Sequence, residues 1–158
     1  MSGARLAPGS GESNVATGLP VLDHLLAQLA RAGGFDLSLE IEPDEPGAEV
    51  DAAGIAFGTA VAPLLRRGAH GSGTMPADEA LAMVVVEASG KPLVASNADL
   101  TGAGGLGTDL AARFLHGVAA GAGLTLHVRL IEGEDTDHVL DAIFKALGVA
   151  LGRAVATP

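Results

Sequence analysis

The residues best placed to do chemistry lie in one late stretch, Asp135-Thr-Asp-His-Val-Leu-Asp-Ala-Ile-Phe-Lys-Ala-Leu-Gly148. At about 100° per residue, a helix over this stretch puts Leu140, Ile143, Phe144, Leu147 and Leu151 on one face. His138, Asp141 and Lys145 gather on the opposite face, with Asp137 one step aside in the first turn. An imidazole followed three residues on by a carboxylate projects both groups over one helical turn, a workable spacing for metal ligation. The same residues also describe a solvated polar face whose acidic start suits the helix dipole. Spacing alone leaves both readings open.

The scaffold that must hold this helix is written twice. Asp51-Ala-Ala-Gly-Ile-Ala-Phe-Gly58 has the skeleton of Asp141-Ala-Ile-Phe-Lys-Ala-Leu-Gly148 at an offset of 90 residues. The run from Leu25 to Ile41, a helical stripe ending in glycine and passing into alternation, matches the run from Phe114 to Leu130 at an offset of 89. Two blocks in one order and at nearly one offset point to an internal duplication of a helix-strand-loop-helix unit.

The periodicities fill in the rest. Residues 1–16, rich in Gly, Ser and Ala, read as a disordered leader. Helices are expected over 19–32, 50–65, 108–122 and 135–155, with Pro63 kinking or ending the second early. Strands are expected over 35–41, 82–88, 93–100 and 124–131, with 93–100 paired to 82–88 across the turn Ser89-Gly-Lys-Pro92. Residues 42–49 and 68–73 read as loops. The glycines between Thr101 and Gly107 do not follow the strand-to-helix pattern of a phosphate- or dinucleotide-binding loop. The sum is an α+β domain over 17–158, a duplicated half-domain in which each half, about 17–92 and 93–158, is a mostly antiparallel sheet with two helices on one face.

Composition narrows the chemistry. With 158 residues, 48% hydrophobic and 18% charged, the chain is globular and large enough for one domain or two half-domains sharing a core. A formal charge of −10 argues against nucleic acid or an anionic membrane as partner. No segment approaches the roughly 18 consecutive apolar residues of a membrane span, and the N-terminus shows no secretory h-region. The absence of cysteine leaves only His and carboxylates to hold a metal and agrees with a cytoplasmic location. Without Trp or Tyr, stacking on nucleobases has almost no platform.

Four segments in order carry a resemblance. Thr17-Gly-Leu-Pro-Val-Leu-Asp-His-Leu-Leu26 followed by Gly34-Phe-Asp-Leu37, then Met75-Pro-Ala-Asp-Glu-Ala-Leu81 with Ser89-Gly-Lys-Pro92, form the first two. Ala122-Gly-Leu-Thr-Leu-His127 and Asp137-His-Val-Leu-Asp-Ala-Ile-Phe-Lys-Ala146 form the others. Together they resemble the imidazoleglycerol-phosphate dehydratase family from Thr17 to about Val155. The resemblance implies a duplicated fold and a lyase of histidine biosynthesis that removes water from an imidazole glycerol phosphate. It also implies two Mn ions held between neighbouring subunits of a large oligomer, stabilising the substrate's imidazole as an imidazolate.

Carried over position by position, His24 and His127 match metal-ligand histidines. The family's His-His-x-x-Glu motif becomes Asp137-His138-Val-Leu-Asp141 in the second copy and Gly47-Ala48-Glu-Val-Asp51 in the first. The expected metal set is therefore His24, Asp51, His127, Asp137, His138 and Asp141, with His24, His138 and Lys145 catalytic and Lys145 and Lys91 toward the phosphorylated substrate. The family's loop arginines, its N-terminal strand with a Glu and its phosphate-binding Ser-Thr-Lys tail find no counterpart. Each lost imidazole opens a coordination position, and Asp137 in place of His would shift a site toward harder, oxygen-rich ligation. Three functional readings follow: a divergent dehydratase, a paralogue impaired in catalysis that serves as a structural or binding subunit beside a complete homologue, and a metal-dependent enzyme of altered substrate. His70, His116, Asp78 and Glu79 are read as structural or exposed.

Overall fold

A computed structural model describes residues 2–98 and 110–156. The first two strands, β1 (Gly3–Pro8) and β2 (Ser13–Ala16), lead into helix α1 (Pro20–Gly33), strand β3 (Phe35–Glu40) and helix α2 (Pro46–Val61). A single 3-10 turn at Ala62–Leu64 then precedes β4 (His70–Ala77), β5 (Ala80–Glu87) and β6 (Leu93–Ser96). Helix α3 (Leu110–Ala122), strand β7 (Thr125–Glu132) and helix α4 (Thr136–Val155) complete the order. The glycine run from Thr101 to Gly107 and the expected helix start at Thr108 lie outside the described residues.

Local chemistry explains the helix ends. Pro20 opens α1 where its missing N–H costs no hydrogen bond, and Gly34, at φ 69°, closes it by donating to the Arg31 carbonyl. Buried Thr17 donates its hydroxyl to Asp23 Oδ1 at 2.6 Å and its N–H to the same oxygen at 2.9 Å, which sets the approach to α1. Asp135 caps α4 by accepting from the N–H groups of Asp137 and His138 at 3.0 and 3.2 Å. Helix α2 starts at Pro46, four residues ahead of the expected Val50, and ends before Pro63.

The α+β class and the duplication are present in the sheets. Among the described residues one sheet runs β1-β3-β2 and the other β4-β5-β7-β6. In the first, Leu37 of β3 stands between Leu6 of antiparallel β1 and Ser13 of parallel β2. In the second, Leu126 of β7 stands between Val86 of antiparallel β5 and Val94 of parallel β6. The repeating unit is thus strand-strand-helix-strand-helix, running β1 to α2 and again β5 to α4.

This architecture corrects four expectations. The expected disordered leader over 1–16 is, from Gly3 to Ala16, two strands and their turn, because β3 offers a pairing edge on each side and β1 and β2 take them. Strand β6 pairs in parallel with β7 and not with β5, so 82–88 and 93–100 do not form a hairpin. The halves meet between Leu64 and His70, not near residue 92, since the β4–β5 hairpin belongs to the second sheet. Residues 70–73, read as loop, begin β4: a Cβ on Gly71 or Gly73 would lie 2.3 or 2.5 Å from α4 carbonyls, so the glycines that hide this strand are what let it pack.

Helices of the two halves face each other across the centre, α1 against α4 and α2 against α3, with the sheets outside. Glycines permit the approach: a Cβ on Gly54 would lie 2.6 Å from the Phe114 carbonyl oxygen, and one on Gly148 2.2 Å from that of Leu29. Phe57, Phe114 and Phe144 run through the core with ring centroids 6.3 and 5.4 Å apart. Among the described residues β4 has no counterpart beside β1, where a groove of about 760 Å³ runs between Ala4–Ala7 and Ala60 of α2 and Leu64 of the turn after it.

Candidate active site

Packing α1 on α4 brings His24 to Asp141, residues far apart in the chain. His24 Nε2 lies 3.0 Å from Asp141 Oδ1, and because an ionised carboxylate only accepts, Nε2 is the donor in this contact. The buried Leu25 and Leu140 support them, and with Asp137, Pro20 and Val21 they border a pocket of about 390 Å³. His24 remains more than half exposed. With the carboxylate accepting from Nε2, the second ring nitrogen, Nδ1, is the basic one, the arrangement of an oriented general base.

His138 turns elsewhere. The β4–β5 hairpin closes on the two-residue turn Asp78-Glu79, with Asp78 at φ 52°. Its tip holds the imidazole from both sides: Nδ1 bonds Glu79 Oε1, and Nε2 lies 3.2 Å from Asp78 Oδ2, with Asp135 Oδ1 at 3.9 Å from Nδ1. The hydrogen bond to Glu79, aided by the charges of Asp135, Glu79 and Asp78 and opposed by desolvation, raises the His138 pKa above its ordinary value. The same hydrogen bond lowers that of Glu79. Asp78 and Glu79 are therefore partners of a site histidine as well as turn residues. The segment Met75–Leu81 already drew attention in the sequence, but nothing local told which side chain it would meet.

The other candidates stand apart. Asp51, near the start of α2, is held by Arg113 of α3, which donates Nε to Oδ1 at 3.0 Å and Nη2 to Oδ2. His127 is exposed on β7, on the sheet face opposite buried Leu126 and Val128 and between Val85 and Ala95. Lys145 donates to the Pro76 carbonyl at 2.9 Å, against the same hairpin that holds His138. Lys91 lines a separate recess of about 590 Å³ with Arg67 and Ser89. Arg113 drew no notice in the sequence because its partner lies 62 residues away.

The donor set tests the implied metal. Among the described residues no group of three or more His, Asp and Glu stands ready to hold an ion. Both His138 nitrogens face carboxylates, Asp51 is bound by a guanidinium, and only His24, Asp141 and Asp137 share a pocket. The described residues of one chain by themselves do not fit a metal.

The profile of the imidazoleglycerol-phosphate dehydratase family matches residues 17–151. The chain is 39% identical to the imidazoleglycerol-phosphate dehydratase of Acetivibrio thermocellus, over 92% of this chain and 80% of that protein. It is 41% identical to that of Aromatoleum aromaticum, again over 92% and 80%. Among solved structures, the Staphylococcus aureus enzyme superimposes with a TM-score of 0.87 at 31% identity, over 98% of this chain and 93% of the other. The Pyrococcus furiosus enzyme, solved in complex with (S)-C348, gives 0.87 at 27% identity, over 98% and 88%. With the duplicated fold and four motifs in register, these matches make the chain a member of the imidazoleglycerol-phosphate dehydratase family.

Proposed function

We propose that this chain is a lyase that dehydrates imidazole glycerol phosphate to imidazole acetol phosphate in histidine biosynthesis, in the cytoplasm. The observation that carries the reading is the α1–α4 pocket, where a family motif histidine, His24, is oriented by Asp141 in a member of a dehydratase family. Dehydration to the acetol needs a base for the proton on the second carbon from the ring and an acid for the hydroxyl that leaves the carbon beside the ring. His24, with Nε2 committed to Asp141, supplies a basic Nδ1 for the first task. Lys145, one turn beyond Asp141 on α4 with its ammonium on the Pro76 carbonyl, is the lysine this reading assigns to the anionic substrate; Lys91 lines a separate recess.

Self-association belongs to the same reading. The six candidate ligands are spread over several surfaces of one chain, so a second copy, or a complete homologue, is the source from which a Mn site would be completed. When bound, Mn would supply positive charge for the substrate's imidazole.

The test is direct. Purified chain is incubated with imidazole glycerol phosphate, with and without Mn, and imidazole acetol phosphate is followed. Product formation that His24→Ala abolishes is expected. A folded chain that makes no product with Mn present overturns the catalytic reading and leaves the structural-subunit role.

A further inference from the structure

The two halves carry equivalent bridges between helices, built from different chemistry. At the offset of 89 that relates α1 to α3, His24 corresponds to Arg113; at the offset of 90 that relates α2 to α4, Asp51 corresponds to Asp141. The contacts obey the same correspondence, His24 to Asp141 across α1 and α4, Arg113 to Asp51 across α3 and α2. The neighbours correspond as well. Gly47 and Ala48 stand where the second half has Asp137 and His138.

The first-half bridge is closed by charge, with the guanidinium lying over Gly47. Arg113 bonds both Asp51 oxygens and donates Nη2 to the Gly47 carbonyl at 3.2 Å. A Cβ on Gly47 would lie 2.5 Å from Arg113 Nη1 and 3.1 Å from Cζ, so a side chain at position 47 would have to displace the guanidinium from its present place. A guanidinium has five donors and no acceptor, stays protonated at any physiological pH, and matches a carboxylate in a planar fork. It therefore cannot ligate a cation, and a divalent ion approaching Asp51 meets a like charge already in place.

We propose that Arg113 is a cation supplied by the chain itself that closes the first-half site: it neutralises Asp51 and lies over Gly47, so this end of the fold takes no metal ion. The duplication has thus separated two roles. One bridge keeps an imidazole that can exchange protons or accept a ligand; the other is a permanent ion pair that fastens α2 to α3. The inference rests on the dehydratase reading only in taking a divalent metal as the relevant ion.

The test copies the second-half residues into the first. Gly47→Asp with Ala48→His is made with Arg113 retained, and again with Arg113→His added. Co(II) bound per chain is read by elemental analysis and by its visible ligand-field absorption, with folding checked by circular dichroism. Measured on the self-associated protein, in which a second copy can complete a site, the triple variant should bind more Co per chain than the wild type, and the double variant no more. Equal gain in both, or no gain in the triple, overturns the proposal. Should the triple variant not fold, Asp51→Asn alone decides: unchanged metal content supports the proposal, and a loss overturns it by making Asp51 a ligand. A wild-type chain that binds no metal sinks the metal part of the dehydratase reading while the contrast between the two rebuilt variants still stands.

Discussion

Gly148→Ala probes the contact that assembles the α1–α4 pocket. The residue sits on α4 seven positions after Asp141, so it shares the face that meets α1. A Cβ there would lie 2.2 Å from the Leu29 carbonyl oxygen and 3.0 Å from its carbon. Restoring ordinary contact at 3.4 Å requires the two helices to part locally by about 1.2 Å. The obstructing atoms are backbone, so no rotamer change relieves them. Overpacking of this kind costs roughly 1–3 kcal/mol. The low Cβ distance places it at the upper end, and the gain of about 1 kcal/mol from replacing a helical glycine with alanine offsets part, for a net loss of about 2 kcal/mol. With a urea m-value of about 2 kcal/mol/M, the unfolding midpoint should fall by about 1 M. The same parting would stretch the 3.0 Å His24–Asp141 contact beyond hydrogen-bond length, so turnover should fall along with stability. Urea titrations of wild type, Gly148→Ala and the control Gly3→Ala, whose Cβ meets nothing within 4 Å, give the comparison. A Gly148→Ala midpoint equal to or above the wild type would refute the account of how the helices are held.

Phe114, buried between Phe57 and Phe144, should on substitution by Ala lose roughly 3–5 kcal/mol, read as a collapse of the thermal transition; a loss under about 1 kcal/mol would mean the three rings are not the centre of the core. Asp141→Asn leaves His24 beside a neutral partner and should lower kcat by about 10–100-fold with little change in melting, measured by steady-state kinetics; wild-type kcat would remove His24 orientation from the mechanism. The His138–Glu79 pair should be pH-dependent with a definite sign. His138, raised above its ordinary 6.5, contributes stability that is complete below 6.5 and lost as pH rises through the raised value. Glu79, lowered from 4.5, contributes above 4.5 and loses its part as pH falls through the lowered value. NMR titration of the His138 ring should move toward 6.5 in Glu79→Gln, and an unmoved titration would show that Glu79 is not the cause.

What the sequence determined by itself is whatever a buried face imprints on neighbouring residues. Leu22, Leu25, Leu26 and Leu29 repeat at helical spacing and are buried on α1, and the Phe35–Glu40 alternation is a strand with Phe35, Leu37 and Leu39 inside. The duplication was legible for the same reason, because two units that bury equivalent faces keep equivalent patterns. Tertiary structure alone decided the features that depend on a distant partner. Strands β1 and β2 have little hydrophobic alternation and exist because β3 pairs with both. Strand β4 is masked by Gly71 and Gly73, whose value appears only once α4 lies against them. In the site, the helical face of His138, Asp141 and Lys145 was legible as a face, yet each residue found a different partner: Glu79 and Asp78 for the imidazole, His24 for the carboxylate and the Pro76 carbonyl for the ammonium. Arg113 gives no local sign that it meets Asp51, since a long side chain reaches across two packed helices and its contact leaves no period in either. Periodicity records which side of an element is dry; which charged group waits on the wet side is set by how the elements pack.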